Sequence, residues 1–346
     1  METRLAVILL LMRTGTELVD VGIPAFGRPH LLRQAIESVL AQTLSSIRIT
    51  VSDNSPGGGE VQRVVESYLT DPRVRYVATG GIAQHENMTS LIQTGDAPYV
   101  ALLHDDDLWE RSFLQRRVDF LEANPDCGLV FSSNYDIDEH GHRTDRGPIP
   151  LTEGCLAPEN FLPVLYARNP VAPPTLLVRR SAYEAVGPYF TPDLARYFDY
   201  EMLFRLAASF GVGYLAVEDC GYRLHGASVT SSSRWFGEEH LRSLDRGEEI
   251  VKAALPDFRF DPAERARIRS FYELRASMDV LEGGRPRAAV EHLVSAVRLR
   301  PQVVANPRFV ATVAALVGGP AGRRALRATR GGRTARQAER KFANAT

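Results

Sequence analysis

Residues Tyr99 to Trp109 read YVALLHDDDLW, an apolar run that breaks abruptly into a histidine and three consecutive aspartates. Tyr99, Val100, Ala101, Leu102 and Leu103 form a short apolar segment bounded by Pro98 and the acidic turn, a pattern that suits a buried strand better than a helix. The acids therefore stand at a strand's carboxyl end, where an open α/β sheet binds its ligands. Asp105, Asp106 and Asp107 crowd like charges together, which is costly unless a cation or water relieves it. A hard divalent ion would do so, because Mg²⁺ and Mn²⁺ take oxygen ligands and complete their shells with substrate phosphates. The plainer alternative is a solvated turn that caps the helix after Trp109.

Working back from this turn, strand and helix patterns alternate. Leu18 to Ile23 reads as a strand, followed by the breaker-rich turn Pro24-Ala25-Phe26-Gly27-Arg28-Pro29 and a helix with Leu31, Leu32, Ala35, Ile36, Val39 and Leu40 on one face. Ile47 to Ser52 is a second strand, ending in Asp53-Asn54-Ser55-Pro56. A helix through Val61, Val64, Val65, Tyr68 and Leu69 leads to a third strand, Val74 to Val77. Such alternation predicts βαβ units, hence an α/β fold whose mostly parallel sheet is flanked by helices. Asp53 ends a strand, like the acidic triplet; its plainer reading is an Asx turn before Pro56. Ile82 to Thr94 reads as a helix in which His85 and Asn87 are surface polar residues on pattern alone.

Working forward, Phe113 to Leu121 reads as a helix stopped by Asn124-Pro125, and Cys127 to Phe131 as a strand. His140-Gly141-His142 lies in a polar segment around a glycine and reads as a hairpin tip rather than a metal site. Phe161 to Arg168 should be helical, Thr175 to Val178 a strand, and Ser181 to Val186 a short helix ended by Gly187-Pro188. A further helical face begins with Met202, Leu203, Leu206 and Ala207. Asp199 stands where that helix starts, as an N-cap would. Glu201 has Arg205 four residues on, the orientation of a surface ion pair. His225 follows another alternating strand, where a lone histidine is ordinarily a satisfied structural residue.

The chain has 346 residues, 44% hydrophobic and 24% charged, enough to bury a full core and add an appendage. A formal net charge of −1 gives no reason to expect nucleic-acid binding. Cys127, Cys155 and Cys220 are far apart and odd in number, which matches neither a disulfide framework nor a metal knuckle and fits a reducing cytoplasm. Leu5 to Met12 is apolar but short and lacks a cleavage site, so a signal peptide is not expected. No segment is long enough for a membrane span. From about Pro262 the pattern is helical, with RPRAAVEHLVSAVRLRP an amphipathic unit stopped by Pro301. Arg323 to Lys341 then carries eight basic residues and one acid, Glu339. That tail reads as solvated and flexible; the sharper reading is contact with anionic lipid at the inner face of a membrane. Four segments follow: an extension over residues 1–17, a main domain over 18–240 with halves meeting near 132, a helical region over 241–317, and the basic tail over 318–346.

The blocks VDVGIPAFGRP, ITVSDNS, NMTSLIQTGDAPYVALLHDDDLW, YFDYEMLFRLA and YRLHGAS, in this order over about Leu18 to Ser233, resemble the family-2 glycosyltransferases of the GT-A fold. The resemblance implies a Rossmann-like domain, a UDP-, GDP- or dTDP-linked sugar donor, a glycan, lipid-linked or small-molecule acceptor, inversion at the anomeric carbon, and a divalent Mn²⁺ or Mg²⁺ cofactor. It also implies a place in polysaccharide, glycolipid or other glycoconjugate synthesis. Carried over by position, Pro24, Ala25, Phe26 and Arg28 lie along the donor. Asp53 bonds the base, Asn87 also falls on the donor side, and Asp105 lies near the ribose or sugar. Asp106 is the principal metal ligand with Asp107 beside it, Asp199 is the general base, His225 completes the metal and diphosphate site, and Arg223 contacts the diphosphate. Two positions depart from the family: His104 stands where Asp is frequent, and Gly27 where Asn is. Two other classes fit the residues less well. A sugar-phosphate nucleotidyltransferase would need a Gly-rich basic loop, whereas Pro24 to Pro29 has only Arg28; and Gly57-Gly58-Gly59 lacks the Lys and Ser/Thr of a phosphate loop. A non-catalytic nucleotide-sugar-binding protein would not need Asp53, Asp106, Asp199 and His225 together.

Overall fold

A computed structural model of the chain describes residues 17–55, 57, 59–144, 149–187, 194, 197–224 and 237–330. The chain divides into two compact units, one ending at Arg223 and one beginning at Leu224.

The first unit is built on a mixed sheet with helices packed against it. Its donor half alternates β1 (Val19–Ala25), α1 (Pro29–Leu40), β2 (Ile47–Asp53), α2 (Glu60–Glu66), β3 (Val74–Ala78), α3 (Gln84–Gln93) and β4 (Tyr99–Leu102). These four strands pair in parallel in the order β3-β2-β1-β4. Every residue of β2 is buried, which explains why IRITVSD reads as a nearly continuous strand signal. In β1, Gly22 lets α3 and β4 come close: a Cβ there would lie 2.7 Å from Leu102 Cδ2 and 3.0 Å from Leu91 Cβ.

The other half contains β5 (Leu108–Trp109), α4 (Phe113–Ala123), β6 (Cys127–Ile137), β7 (Arg143–Thr144), β8 (Gly154–Leu156), α5 (Pro158–Ala167), β9 (Leu177–Arg179), α6 (Arg180–Val186), α7 (Phe198–Ser209) and β10 (Gly211–Arg223). The sheet continues as β4-β9-β6-β10-β5. Here it departs from the mostly parallel expectation: β9 runs antiparallel to both β4 and β6, and β5 and β8 run antiparallel to β10. Thr175, expected to begin a strand, instead ends a 3₁₀ turn, Pro173–Thr175, that leads into β9. The His140-Gly141-His142 segment is the expected hairpin tip, with Ile137 opposite Arg143 and all three tip residues exposed.

Two buried ion networks lie within this unit. Asp20, at the opposite end of β1 from the acidic turn, accepts from Arg48 Nη1 at 3.1 Å, Arg180 Nη2 at 2.6 Å and the Ala97 N–H at 2.9 Å. Arg180 also donates to the carbonyls of Ala97 and Ile92, each at 2.7 Å, so it ties α6 to the donor half. Arg117, fully buried on α4, makes a bidentate pair with Asp219 of β10 at 3.0 Å per bond. Its guanidinium lies 3.3 Å over the Phe113 ring, which stacks on Trp109.

Cys127 and Cys155 form a disulfide, which corrects the expectation of none. Their distance in sequence hides that β6 and β8 both flank β10, with Cys127 opposite Gly211 and Cys155 opposite Gly213. The bridge needs Gly211, where a Cβ would approach Cys155 Sγ to 2.7 Å. Cys220 stands outside the disulfide, buried, with its thiol 3.7 Å from Pro174 O.

The second unit is helical: α8 (Gly237–Ala254), α9 (Pro262–Glu282), α10 (Pro286–Leu299), α11 (Pro307–Val317) and α12 (Gly319–Arg330). Asp261 caps α9 by accepting from the Glu264 N–H at 2.7 Å, and Leu274, Leu293, Ala296 and Val303 form a core. The boundary expected near residue 240 moves to 223/224. Helix α8 belongs here, with Gly237 N–H donating to Asp279 at 2.8 Å and a Cβ on Gly237 only 2.3 Å from Ala276 N. The basic tail expected from Gly318 begins as helix, because Ala and Arg favour helix and Leu326 is buried among Met278, Leu281 and Ala315. Among the described residues no helix is long and apolar enough to cross a membrane.

Candidate active site

Strand β4 delivers the acidic turn to the carboxyl end of the parallel strands. Leu103 N–H donates to Gly22 O at 3.0 Å on one side of the turn, and β5 pairs with Cys220 and Gly221 on the other. All three aspartates are buried rather than solvated: Asp105 is 0% exposed, Asp106 8% and Asp107 2%. The cation that relieves them here is Arg28, at the N-terminus of α1. Its Nη1 donates to Asp106 Oδ2 at 2.5 Å, its Nε to Asp105 Oδ2 at 3.3 Å, and its Nη2 to Asp105 Oδ1. Asp105 Oδ2 also accepts the Phe26 N–H at 2.9 Å. Burial pushes the Asp105 carboxyl up to about 6 although Arg28 pulls it down, so it is ionised at neutral pH. Burial alone would lower the Arg28 guanidinium; Asp105 and Asp106 outweigh it, and the group is raised.

Arg223, the last residue of β10, clamps the turn from the other side. Its N–H donates to Asp107 Oδ1 at 2.8 Å, its Nε to Asp106 O at 2.8 Å, its Nη1 to Asp138 O at 3.0 Å and its Nη2 to Gln34 Oε1 at 2.8 Å. At 1% exposure, with each guanidinium nitrogen engaged, it positions the turn; the expected diphosphate contact is not what this geometry provides. Asp107 Oδ2 is buried with no hydrogen bond among the described residues, and His104 Nδ1 lies 3.4 Å away. Burial raises the Asp107 carboxyl, with His104 opposing. Burial would lower His104, but the neighbouring aspartates outweigh it and raise the imidazole.

His104, Asp106 and Asp107 each offer a ligand atom, all within 4.8 Å of one another. Two carboxylates and an imidazole are a credible donor set for a divalent ion, and the orphaned Asp107 oxygen is the kind of atom such an ion satisfies. His104, noted in the sequence only as a departure from a family pattern, thus stands among the candidate ligands. Its signal was simply its place directly before the aspartates. His225, expected as a ligand, lies outside the described residues, as do the serines and Trp235 after it.

On the donor side, the Pro24 to Arg28 loop faces the end of β2. Phe26 is 56% exposed, unusual for a phenylalanine beside buried acids, whereas Ala25 is buried. Gly27, at φ +63°, donates its N–H to Ser55 Oγ at 2.9 Å. Asp53 Oδ1 accepts the Ser55 N–H at 2.9 Å, the Asx turn weighed from sequence, and Oδ2 accepts the Tyr76 hydroxyl at 2.9 Å. Asn87 is not the surface residue its pattern implied. It is 2% exposed and accepts from Ser52 Oγ, joining α3 to β2 beneath the loop.

Asp199 is the second residue of α7, with Tyr197 in the cap position, so the expected N-cap is displaced by two residues. Its Oδ1 accepts the Tyr200 N–H at 2.9 Å. It borders a cavity that Met88, Leu102, Leu176, Tyr183, Met202 and Leu203 also line. Burial pushes its carboxyl up to about 6, against the Tyr200 N–H and the charge of His104, both of which favour the ionised form. Glu201 and Arg205, expected at the surface, lie inward: Glu201 is 1% exposed, with Arg205 Nε 3.9 Å from its Oε1.

Residues 20–187 match the family model described as glycosyl transferase family 2, a match that stops short of Asp199. An uncharacterized glycosyltransferase of Rickettsia conorii is 25% identical over 73% of this chain, which spans 40% of that protein. The chain likewise spans less than half the length of two further curated relatives. Among solved structures, Staphylococcus aureus TarS 1–349 in complex with UDP-GlcNAc superposes with a TM-score of 0.57 at 11% identity, covering 83% of this chain and 91% of that one. A mannosyltransferase from Pyrobaculum calidifontis, in complex with GDP-Man and Mn²⁺, gives 0.51 at 16% identity, covering 94% and 89%. At these identities the structures establish the GT-A fold, and the family match places residues 20–187 of this chain among the family 2 glycosyltransferases.

Proposed function

We propose that this chain transfers a sugar from a nucleotide-sugar donor to an acceptor hydroxyl, with inversion at the anomeric carbon. The observation that carries the proposal is the pairing of two sites in one unit: a buried acidic turn with a metal-compatible donor set, and a carboxyl at about 6 beside an apolar cavity. The structural neighbours were solved with UDP-GlcNAc and with GDP-Man and Mn²⁺, which supports a donor of this class and a divalent cofactor.

The division of labour follows from the chemistry. Cleaving a sugar–phosphate bond leaves a nucleoside diphosphate, and a divalent ion held by Asp106, Asp107 and His104 would stabilise the charge developing on it. The imidazole favours Mn²⁺ over Mg²⁺, which prefers oxygen alone. Exposed Phe26 offers a face to the nucleoside, and Asp53 stands at the end of β2 for the base. The acceptor hydroxyl must lose a proton as its bond to carbon forms. Asp199 is ionised at neutral pH yet more basic than an ordinary aspartate, the balance a general base requires. A sugar-phosphate nucleotidyltransferase fits less well, because the loop's one arginine is engaged by Asp105 and Asp106.

The acceptor is a glycan, a lipid-linked sugar or a small glycoconjugate precursor. The basic segment after Gly318 is proposed to touch anionic membrane surfaces. Titration calorimetry with UDP, GDP and dTDP, each with Mn²⁺ and then with chelator, tests the donor half. At least one should bind, more tightly with the ion; no binding, or equal affinity in chelator, would count against the proposal.

A further inference from the structure

Arg28 stands on Asp106, a carboxylate that a donor-bound ion would need. Without an ion it holds Asp106 Oδ2 through Nη1 and both oxygens of Asp105 through Nε and Nη2. A guanidinium and a dication at contact distance from the same carboxylate repel one another, so the two compete for Asp106. Resting on the reading of Asp106 as a metal ligand, we propose that Arg28 is an exchangeable counter-ion. It yields Asp106 to the divalent ion and moves to the diphosphate of the donor.

Several features support this exchange. Arg28 is on the rim, with 27% of its side chain exposed, whereas Asp105 beneath it is fully buried. Movement of the side chain toward solvent therefore requires no repacking of the core. A Cβ on Gly27, which sits at φ +63°, would meet nothing within 4 Å among the described residues, so the preceding backbone is uncrowded there. Arg223, by contrast, is buried and committed to the carbonyls of Asp106, Asp138 and Glu139, so it holds the turn in place while Arg28 leaves. A displaced guanidinium seeks an anion that offers paired oxygens, and a diphosphate does so.

The exchange makes the two ligands interdependent. An ion arriving alone must evict Arg28 and leave it without its Asp106 partner, so the ion binds weakly. An ion arriving with a diphosphate provides Arg28 with a replacement. By linkage, the diphosphate must tighten the ion by the same factor by which the ion tightens the diphosphate. Arg28 thereby keeps the site closed to metal until donor is present.

The test is Mn²⁺ binding followed by electron paramagnetic resonance, with and without UDP or GDP, whichever calorimetry shows to bind. Arg28→Gln should bind Mn²⁺ alone at least tenfold more tightly than the native protein, and the tightening of Mn²⁺ by the nucleotide should shrink at least tenfold. Arg28→Lys keeps one charge but loses the three-point contact. It should bind Mn²⁺ alone at least threefold more tightly than native, which covers the case in which the glutamine variant does not fold. Mn²⁺ affinity in either folded variant that is unchanged or weaker would overturn the exchange. Asp106→Asn separates the two readings: it should lose Mn²⁺ whatever stands at position 28. If Asp106→Asn binds Mn²⁺ as the native protein does, the metal assignment fails and the exchange with it.

Discussion

Replacing Asp199 with Asn should make the protein more stable while nearly abolishing turnover. The side chain keeps its size, and its amide oxygen can still accept the Tyr200 N–H. What disappears is a carboxylate beside an apolar cavity, raised to about 6 from the ordinary value of 3.8. A group whose folded pKa is raised contributes stability that is fully present below its unfolded pKa and lost as pH rises through the folded one. Native protein should therefore match the variant near pH 4 and fall progressively behind it through pH 6. About two units at roughly 1.4 kcal/mol each set a ceiling of about 3 kcal/mol, and partial solvent relaxation brings the expectation to about 1–3 kcal/mol. For a unit of this size that is roughly 3–10 °C in Tm above pH 7. Thermal melts of both proteins from pH 4.5 to 8 measure the difference directly, because every other titrating group is shared. Turnover by the variant should drop by about 10²-fold or more with nucleotide affinity unchanged, as loss of a general base requires. A Tm difference that does not vary with pH would refute the buried-carboxylate reasoning, and near-normal kcat would refute the base.

Three further perturbations probe the surroundings. Cys155→Ser should lower stability by about 2–4 kcal/mol in denaturant titration. Peptide mapping of unreduced native protein should recover Cys127 joined to Cys155, with Cys220 as a thiol; three alkylatable thiols would contradict the pairing. Arg223→Met should destabilise the first unit by about 3–5 kcal/mol, since it strips partners from a buried acidic turn; a change below 1 kcal/mol in chemical denaturation would deny the clamp. His104→Asp replaces the imidazole with an oxygen donor, so the ratio of Mn²⁺-supported to Mg²⁺-supported nucleotide affinity should fall by about tenfold or more. An unchanged ratio would remove His104 from the ligand set.

Much of this molecule was legible because local pattern and tertiary role agreed. Strands β1, β2 and β4 are buried on both faces, so their apolar runs announced them, and the acids that end β2 and follow β4 stood at the strand ends. What escaped were facts that depend on neighbours distant in sequence. No spacing rule couples Cys127 to Cys155; only the shared flank of β10 does. Asn87 and Glu201 are polar residues on helices, where periodicity favours a surface placement. Asn87 is buried where α3 meets β2, and Glu201 because it lies on the inward face of α7. Arg28 was visible as a loop cation but not as the counter-ion of the acidic turn 77 residues away. Arg223, assigned to a diphosphate, is instead held by carbonyls of three separate residues and by Gln34. Charge alone could not distinguish an arginine that meets substrate from one that shapes the site.

The stereochemistry of the product tests the central claim most directly. A base at Asp199 acting opposite a diphosphate leaving group permits a single displacement, and a single displacement inverts. Once a donor is identified, proton NMR of the first-formed product of an α-linked nucleotide sugar should show a β-linkage, formed by the native protein and not by Asp199→Asn. An α-linked product would contradict the mechanism, and β-product formed at the native rate by the variant would contradict the role of Asp199 within it.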